Sequence, residues 1–199
     1  MHEEEEQIRW QGRFIVAKTR GKWEYVSRTR GIRAAVILAV DEQDHVLLVE
    51  QFRVPLGRAT IELPAGLIGD GDTNGDEDPT EAAVRELEEE TGYTAARMEV
   101  IGEFYSSPGM VTESFTLLRA HGLTRIGPGG GVDGEDITVH RVPLGEIESF
   151  SVRGFLLFSR PGSATFRRSM KFTCSAMVSV VITVTRSPFS ITYASSLAL

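Results

Sequence analysis

The chain has 199 residues, a formal net charge of −7 and one cysteine, Cys174. That length suits a single domain with a substantial core, and the negative charge disfavours nucleic acid or an anionic membrane as the main partner. A lone cysteine cannot form an internal disulfide, and the acidic residues 1–6 are unlike a signal peptide, so we expect a cytoplasmic protein. We also expect no membrane span, since no apolar run approaches about 18 residues.

The first third of the chain predicts five short strands, because β-branched and aromatic residues cluster there between turn residues. The first two strands form a hairpin around Gly21, and the next two form a second hairpin with residues 41–44 at its turn. The second pair is nearly continuous in Val, Leu, Ile and Ala, which is typical of strands buried on both faces. The five strands cover residues 13–18, 23–27, 34–40, 45–51 and 60–63.

The middle of the chain predicts one amphipathic helix with both of its ends marked in the sequence. Asp78 is a good N-cap, Pro79 suits the first helical position, and Gly92 can end the helix in a left-handed conformation. At about 3.6 residues per turn, Ala83 and Leu87 fall on the side that faces the core.

The same helix carries four glutamates within five consecutive positions: Glu86, Glu88, Glu89 and Glu90. Like charges three or four residues apart repel, so such a cluster favours a role in binding a hard cation, and a solvated acidic face is the alternative. Glu86, Glu89 and Glu90 share one sector of the helix, beside its buried face. Arg85 lies four residues before Glu89 and can hold that carboxylate in orientation.

Beyond the helix, residues 98–105, 114–120 and 137–142 predict further strands, and residues 144–150 predict a second helix. Strands around one central helix, followed by another helix, indicate an α+β sandwich.

The composition changes abruptly at Ser149. Residues 149–199 contain no Asp or Glu, although the whole chain has 28 acidic residues. Residues 177–185 predict a lone strand in this tail. A genuine appendage and a frameshift in the gene both explain such a change, and we favour a frameshifted, poorly ordered segment.

The acidic helix and the loop before it resemble the Nudix box, the signature of hydrolases that cleave nucleoside diphosphates linked to another group. Residues 62–66, Glu-Leu-Pro-Ala-Gly, are similar to the segment that usually supplies the first glycine of this box. We therefore expect Gly66 to be the structural equivalent of that glycine, with residues 70–76 forming a longer loop. The literal matches to the box are Gly71, Glu77, Arg85, Glu86, Glu89, Glu90 and Gly92.

Further segments resemble the ADP-ribose pyrophosphatase subfamily. Residues 23–36 are similar to its N-terminal region, and residues 49–55 are similar to its Glu-Gln-x-Arg strand end. Residues 107–113 place a proline after the box, and residues 134–140 also match. Together these segments extend the resemblance over residues 10–148.

The resemblance implies a Nudix-type α/β/α sandwich with a mixed sheet and an N-terminal β-hairpin extension. Residues 1–33 would be an N-terminal strand region that forms a homodimer contact, and residues 34–148 would be the Nudix hydrolase domain. Residues 149–199 remain the atypical tail.

The resemblance also implies Mg²⁺-dependent hydrolysis of the pyrophosphate bond of ADP-ribose, or of a related nucleoside diphosphate sugar, to AMP and ribose 5-phosphate. Mn²⁺ is the expected substitute for Mg²⁺. The implied metal ligands are the carbonyl of Ala65 and the carboxylates of Glu86, Glu89, Glu90 and Glu135. The implied catalytic residues are Arg85, Glu89, Asp133 and Glu135, with Asp133 at the position of the general base and Glu113 as a further candidate for it. The implied substrate-binding residues are Arg30, Arg33, Arg53, Gly109, Met110 and Glu113.

Two alternatives stay open at this point. In the first, the enzyme acts on another nucleotide sugar, such as GDP-mannose, or on an oxidised nucleotide. In the second, the chain is a non-catalytic module that binds ADP-ribose or NAD. The presence of Glu86, Glu89 and Glu90 argues against the second alternative, since such modules usually lack a carboxylate of the box.

Overall fold

The computed structural model describes residues 4–31, 33–69, 77–132, 134–151, 169–174 and 178–183. The described strands are β1 (Gln7–Gln11), β2 (Ile15–Arg20), β3 (Trp23–Arg28), β4 (Arg33–Ala39), β5 (His45–Arg53), β6 (Arg58–Glu62), β7 (Ala65–Ile68), β8 (Tyr93–Tyr105), β9 (Ser114–Arg125), β10 (Thr138–Pro143), β11 (Ser169–Cys174) and β12 (Val178–Thr183). The described helices are α1 (Pro79–Thr91) and α2 (Ile147–Ser151).

Two sheets form the centre of the fold. The larger sheet has the order β7-β4-β9-β8, in which β4 runs parallel to β9 and the other neighbouring pairs are antiparallel. The smaller sheet has the order β10-β5-β6 and is antiparallel throughout. Strands β1, β2 and β3 form a separate N-terminal sheet, and β11 pairs with β12. The larger sheet is therefore mixed, as the family resemblance implies.

Two hydrophobic cores use the two faces of the buried strands. On one face, Leu87 of α1 lies in a cluster with Ile37 of β4 and Leu47 of β5. On the other face, Leu38 of β4 lies in a cluster with Ile147 of α2. Neighbouring residues of one strand thus point into different cores, because side chains alternate along a strand. The sheets lie between α1 and α2, which confirms the predicted α/β/α sandwich.

The prediction of a second hairpin is wrong. Strands β4 and β5 follow each other in the chain but belong to different sheets, and an isolated bridge links Val40 with Val46. Asp41 redirects the chain between them, since its Oδ1 accepts hydrogen bonds from the N–H groups of Gln43 and His45, both at 2.9 Å. A continuous apolar run predicts a strand buried on both faces, but it does not specify the neighbours of that strand.

The N-terminal extension contains three strands instead of the predicted hairpin. Strands β2 and β3 form the hairpin that the sequence predicts around Gly21, and β1 pairs with β2 on its other edge. All five residues of β1 are exposed, so the sequence of this strand lacks the pattern of buried apolar residues from which a strand is predicted. The short strand β7 is a second element that the prediction lacks.

Helix α1 has the ends that the sequence predicts. The side chain of Asp78 accepts a hydrogen bond from the N–H group of Thr80 at 2.7 Å. Gly92 follows the helix with a φ of 72°, and its N–H group donates to the carbonyl of Glu88 at 2.9 Å. The buried residues of the helix include Leu87 and Glu90.

Most of the atypical tail, residues 149–199, lies outside the described residues. The prediction that this tail is poorly ordered therefore stays a prediction. Strand β12 confirms the strand predicted within residues 177–185, but it is not alone, because it pairs with β11 over six residue pairs. The division into residues 1–33, 34–148 and 149–199 stays a prediction. Among the described helices, none is long and apolar enough to cross a membrane.

Candidate metal and substrate site

The acidic flank of α1 lies against β7. The carboxylate of Glu90 is buried, with the residue 5 % exposed, and it accepts a hydrogen bond from the N–H group of Ala65 at 2.9 Å. The carboxylate of Glu86 lies against the backbone of Gly66, where an added Cβ would be 1.8 Å from Glu86 Cδ. The predicted backbone ligand and two of the predicted carboxylates therefore occupy neighbouring positions between α1 and β7.

The charge of Glu90 is poorly compensated by the protein. Burial is the main cause that raises its pKa to about 8, and the carboxylates of Glu86 and Glu135 raise it further. The N–H group of Ala65 and the guanidinium of Arg53 act in the opposite direction. These influences also locate Glu135 and Arg53 within electrostatic reach of Glu90. We call this group of side chains the acidic site: Arg53, Arg85, Glu86, Glu89, Glu90 and Glu135, with the backbone of Ala65.

Arg85 orients carboxylates along α1. Its Nη1 lies 2.8 Å from Glu86 Oε1 and 3.5 Å from Glu89 Oε2, and its Nε lies 3.5 Å from Glu77 Oε1. Glu77 in turn accepts a hydrogen bond from the N–H group of Gly69 at 2.8 Å. The arginine therefore joins the first acidic position of the predicted box, Glu77, to Glu86 and Glu89 on the helix. The literal box glycine Gly71 lies outside the described residues.

Glu89 faces a different side of the helix from Glu90. It lines a groove of about 520 Å³ between the outer flank of α1 and the start of β8. Arg85 lines the same groove, whereas Ala65, Glu86 and Glu90 do not. The structure thus places Glu86 and Glu135 within electrostatic reach of Glu90, and places Glu89 at the margin of the acidic site through its contact with Arg85.

A glycine-rich segment, residues 127–131, attaches the loop that carries Glu135 to the end of α1. The N–H groups of Gly130 and Gly131 donate to the carbonyls of Glu90 and Glu89 at 2.9 and 3.0 Å. Downstream, the carboxylate of Glu135 accepts a hydrogen bond from the N–H group of Val132 at 3.2 Å. Sequence reasoning missed this segment, although a run of glycines before an acidic loop is a signal for close approach of two backbones.

Arg53 has a protein partner at the acidic site. Its Nε and Nη2 donate to the two carboxylate oxygens of Glu62 at 2.9 and 2.8 Å. This two-point contact with Glu62 is the main cause that raises the pKa of Arg53, and the charges of Glu90 and Glu135 act in the same direction. A phosphate group bound here would face an arginine whose orientation Glu62 already fixes.

The other predicted substrate-binding residues lie at a second place, which we call the sheet-edge site: Arg30, Arg33, Gly109, Met110 and Glu113. Residues 106–113 connect β8 with β9, and Ala34 of β4 pairs with Phe115 at the start of β9. Arg33 therefore lies at the same end of the sheet as that loop. Ala65 pairs with Val36, so the acidic site begins about 10 Å further along β4 at the usual rise per residue.

Of the two further candidates for the general base, the structure describes Glu113 but not Asp133. The carboxylate of Glu113 is bound by Arg28, whose Nη2 lies 2.6 Å from Glu113 Oε1. Arg28 is a residue that sequence reasoning missed. Asp133, the predicted general base, lies outside the described residues.

The acidic site fits a hard divalent cation by the chemistry of its donors. Carboxylate oxygens and a backbone carbonyl are the ligands that Mg²⁺ prefers, and a cation would favour the charged form of Glu90, which burial and the nearby carboxylates disfavour as its raised pKa shows. In the described part of the chain, no group of three acidic, histidine or cysteine side chains converges at metal-binding distance. The carboxylate of Glu86 instead points to Arg85, as the 2.8 Å contact shows.

Comparison with known proteins gives the family. The model described as the NUDIX domain matches residues 29–151, and the chain belongs to this family. It is 39 % identical over 111 residues to a methanol dehydrogenase activator of Bacillus methanolicus, which covers 56 % of this chain and 57 % of the relative. It is 43 % identical over 91 residues to an ADP-ribose pyrophosphatase of Bacillus subtilis, which covers 46 % of each chain.

Two further comparisons give another relative and a solved structure. The chain is 40 % identical over 127 residues to a GDP-mannose pyrophosphatase of Cronobacter sakazakii, covering 59 % of this chain and 62 % of the relative. A crystal structure described as an ADP compounds hydrolase superposes with a TM-score of 0.58 at 20 % identity, covering 73 % of this chain and 80 % of that one, and supports the Nudix-type fold. The chain spans about half the length of the first two relatives, 57 % and 46 %.

Proposed function

We propose that this chain hydrolyses the pyrophosphate bond of ADP-ribose, or of a closely related nucleoside diphosphate sugar, to AMP and ribose 5-phosphate. The observation that carries the proposal is the buried carboxylate of Glu90, which lies beside Glu86 and Glu135 in a chain of the NUDIX family. A buried carboxylate with other carboxylates nearby requires a proton or a cation to offset its burial and the repulsion. Nudix hydrolases generally depend on a divalent metal, which fits this requirement.

Magnesium is the metal that we propose for the acidic site. Glu86, Glu90 and Glu135 would hold it, with Glu89 and the carbonyl of Ala65 beside them. Bound magnesium supplies neutralisation of the pyrophosphate charge and a nucleophilic water. Mn²⁺ is expected to replace Mg²⁺, since it accepts the same oxygen ligands.

The attacking water needs a carboxylate that accepts its proton. Glu135 is the described residue best placed for this role, because it lies near Glu90 on a loop that residues 127–131 attach to α1. Asp133 keeps its candidacy from its position in the sequence. Glu89 and Glu113 are less suited, because each is bound by an arginine, Arg85 or Arg28.

The separation of the two groups of residues suits an elongated substrate. Arg53 lies near the carboxylates and would contact a phosphate group of the pyrophosphate. The sheet-edge site, with Gly109 and Met110, is about 10 Å away and would contact the nucleoside or the sugar. Arg85 would act on the carboxylates themselves, since it binds Glu86 at 2.8 Å.

A homodimer is part of the proposal. The N-terminal sheet exposes large apolar side chains, with Ile8 61 %, Trp10 57 % and Trp23 58 % exposed. Several large apolar side chains exposed on one small sheet favour an interface. Arg30 and Arg33 follow this sheet in the chain and would reach the substrate across such an interface. A monomeric mass in solution together with full activity would contradict this part of the proposal. The cytoplasmic location stays a prediction from the sequence.

Another nucleotide sugar is the second candidate substrate, because relatives named ADP-ribose pyrophosphatase and GDP-mannose pyrophosphatase have similar identity to this chain, 43 % and 40 %. A binding module without hydrolysis is the third candidate, and the presence of Glu86, Glu89 and Glu90 opposes it.

A substrate screen tests the proposal. Initial rates are measured with ADP-ribose, GDP-mannose, NADH and nucleoside triphosphates, with Mg²⁺ and after its removal by a chelator. We expect the highest kcat/KM for ADP-ribose, by at least about tenfold, and no turnover without metal. A tenfold or larger advantage for GDP-mannose would contradict the choice of substrate. Binding of ADP-ribose without turnover of any compound would instead identify a binding module.

A further inference from the structure

The loop of residues 106–113 is attached to strand β3 of the N-terminal sheet. The N–H group of Val26 donates to the carbonyl of Met110 at 2.9 Å, and the N–H group of Thr112 donates to the carbonyl of Val26 at 3.0 Å. Beside them, the hydroxyl of Thr112 donates to the buried hydroxyl of Ser27 at 3.0 Å. Strand β3 thus provides the backbone and side-chain groups that the loop binds.

An ion pair completes this attachment. The Nε and Nη2 atoms of Arg28 lie 2.7 and 2.6 Å from the same oxygen of Glu113. The two side chains are 33 % and 31 % exposed, so water screens their attraction only in part. A planar guanidinium that donates twice fixes the direction of its partner, which a flexible ammonium group does less well.

The loop has internal order but an exposed tip. The N–H groups of Met110 and Val111 both donate to the carbonyl of Ser107 at 2.9 Å, which closes a turn around Gly109. The side chain of Met110 is 60 % exposed. The loop therefore has a turn of its own, and its contacts with β3 determine how this tip is directed.

We propose that Arg28 is a positioning residue for substrate binding. Through Glu113 it holds the loop of residues 106–113 in the orientation in which Gly109 and Met110 contact the substrate. This inference rests on the proposed function, and it gives the N-terminal sheet a role within its own subunit. A loop that is already ordered loses less conformational entropy when substrate binds, so Arg28 contributes to KM more than to kcat.

The kinetic test uses Arg28→Gln, Arg28→Lys and a matched control, Arg9→Gln. Arg9 lies on the same sheet, and its Nε donates to Thr19 at 2.9 Å. We expect Arg28→Gln to raise KM for ADP-ribose about tenfold with kcat within about twofold, because the loop orders only on binding. Arg28→Lys should show an intermediate KM, and Arg9→Gln should match the unmodified protein. An unchanged KM in Arg28→Gln, or a loss confined to kcat, overturns the proposal.

The double variant tests whether Arg28 acts through Glu113. In a Glu113→Gln background, Arg28→Gln should change KM by less than about twofold, because the partner is already lost. If Arg28→Gln raises KM equally in both backgrounds, Arg28 acts independently of Glu113 and the proposal is overturned.

Hydrogen exchange separates this inference from the proposed function. The amides of residues 106–113 should exchange at least about tenfold faster in Arg28→Gln than in Arg9→Gln, without any substrate present. Unchanged exchange in Arg28→Gln overturns the positioning role, whichever compound the enzyme hydrolyses. Faster exchange in a protein that leaves ADP-ribose intact would support the attachment of the loop and contradict the proposed substrate.

Discussion

Gly66 leaves the space that the carboxylate of Glu86 occupies. A Cβ at residue 66 would lie 1.8 Å from Glu86 Cδ and 2.1 Å from its Oε1, which no real pair of atoms tolerates. The side chain of Glu86 therefore lies directly against the backbone of β7, one residue from the Ala65 N–H group that binds Glu90. The absence of a side chain at residue 66 is a condition for the geometry of the acidic site.

Gly66→Ala tests this relationship. We expect a fall in kcat of about a hundredfold, because the added methyl group displaces the Glu86 carboxylate, and a loss of less than about 1 kcal/mol in the free energy of unfolding, because the displaced atoms are the end of a flexible side chain. Steady-state kinetics and denaturant unfolding measure the two effects. Gly145→Ala is the matched control, since a Cβ there meets no atom within 4 Å. Activity in Gly66→Ala equal to that of Gly145→Ala would show that Glu86 has no fixed position in the reaction.

The attachment of residues 127–131 to the end of α1 leads to a second prediction. Gly129 has a φ of +70°, and its Cβ would lie 2.4 Å from the carbonyl carbon of Thr91. Gly129→Ala should therefore separate this segment from α1, displace Glu135 and lower kcat about tenfold to a hundredfold. Steady-state kinetics with ADP-ribose measures the loss.

Gly57→Ala is the matched control for backbone strain. Gly57 has a similar φ of +63°, but a Cβ there meets nothing within 4 Å. It should cost about 1–2 kcal/mol in stability through strain and leave kcat unchanged. If the two variants lose equal activity, strain and not the displacement of Glu135 explains the effect.

The pKa of Glu90 predicts how pH affects the metal-free protein. Burial raises this pKa from 4.5 to about 8, so the folded state holds the proton more tightly than the unfolded state. The resulting stabilisation is complete below pH 4.5 and declines as pH rises toward about 8. Thermal unfolding with a chelator, between about pH 5 and about pH 9, should therefore show a decline that Glu90→Gln lacks.

Magnesium should oppose this decline in stability. A cation competes with the proton for the same carboxylate, so the rise in Tm that Mg²⁺ causes should grow across the same pH range. An equal decline of Tm in the metal-free unmodified protein and in Glu90→Gln would mean that other groups determine the pH dependence.

The sequence predicts well those features whose cause is local. Asp78 and Gly92 mark the ends of α1 because capping depends on residues a few positions apart. The proximity of Glu86 and Glu90 likewise follows from the helical repeat, since they lie one turn apart on the same helix. The mixed sheet and the α/β/α arrangement followed from the family resemblance.

Contacts between residues far apart in the sequence cannot be predicted from local sequence patterns. Arg28 and Glu113 are 85 residues apart, and neither shows its partner in its neighbours along the chain. The predicted hairpin of β4 and β5 failed for the same reason, because an apolar run specifies burial and not pairing, and the two strands belong to different sheets. Residues 127–131 gave a local signal, the run of glycines, but its target on α1 appears only in the folded chain.

The most direct test of the account compares kcat for ADP-ribose in Glu86→Gln, Glu90→Gln and the matched control Glu81→Gln, at saturating Mg²⁺. Glu81 lies on the same helix but is exposed, and it lines the outer groove, not the acidic site. We predict losses of at least about a hundredfold in the first two variants, with folding intact, and a change of less than about threefold in Glu81→Gln. Near-normal turnover in Glu86→Gln and Glu90→Gln would contradict the account, because the glutamates of α1 would then be only a solvated acidic face of the helix.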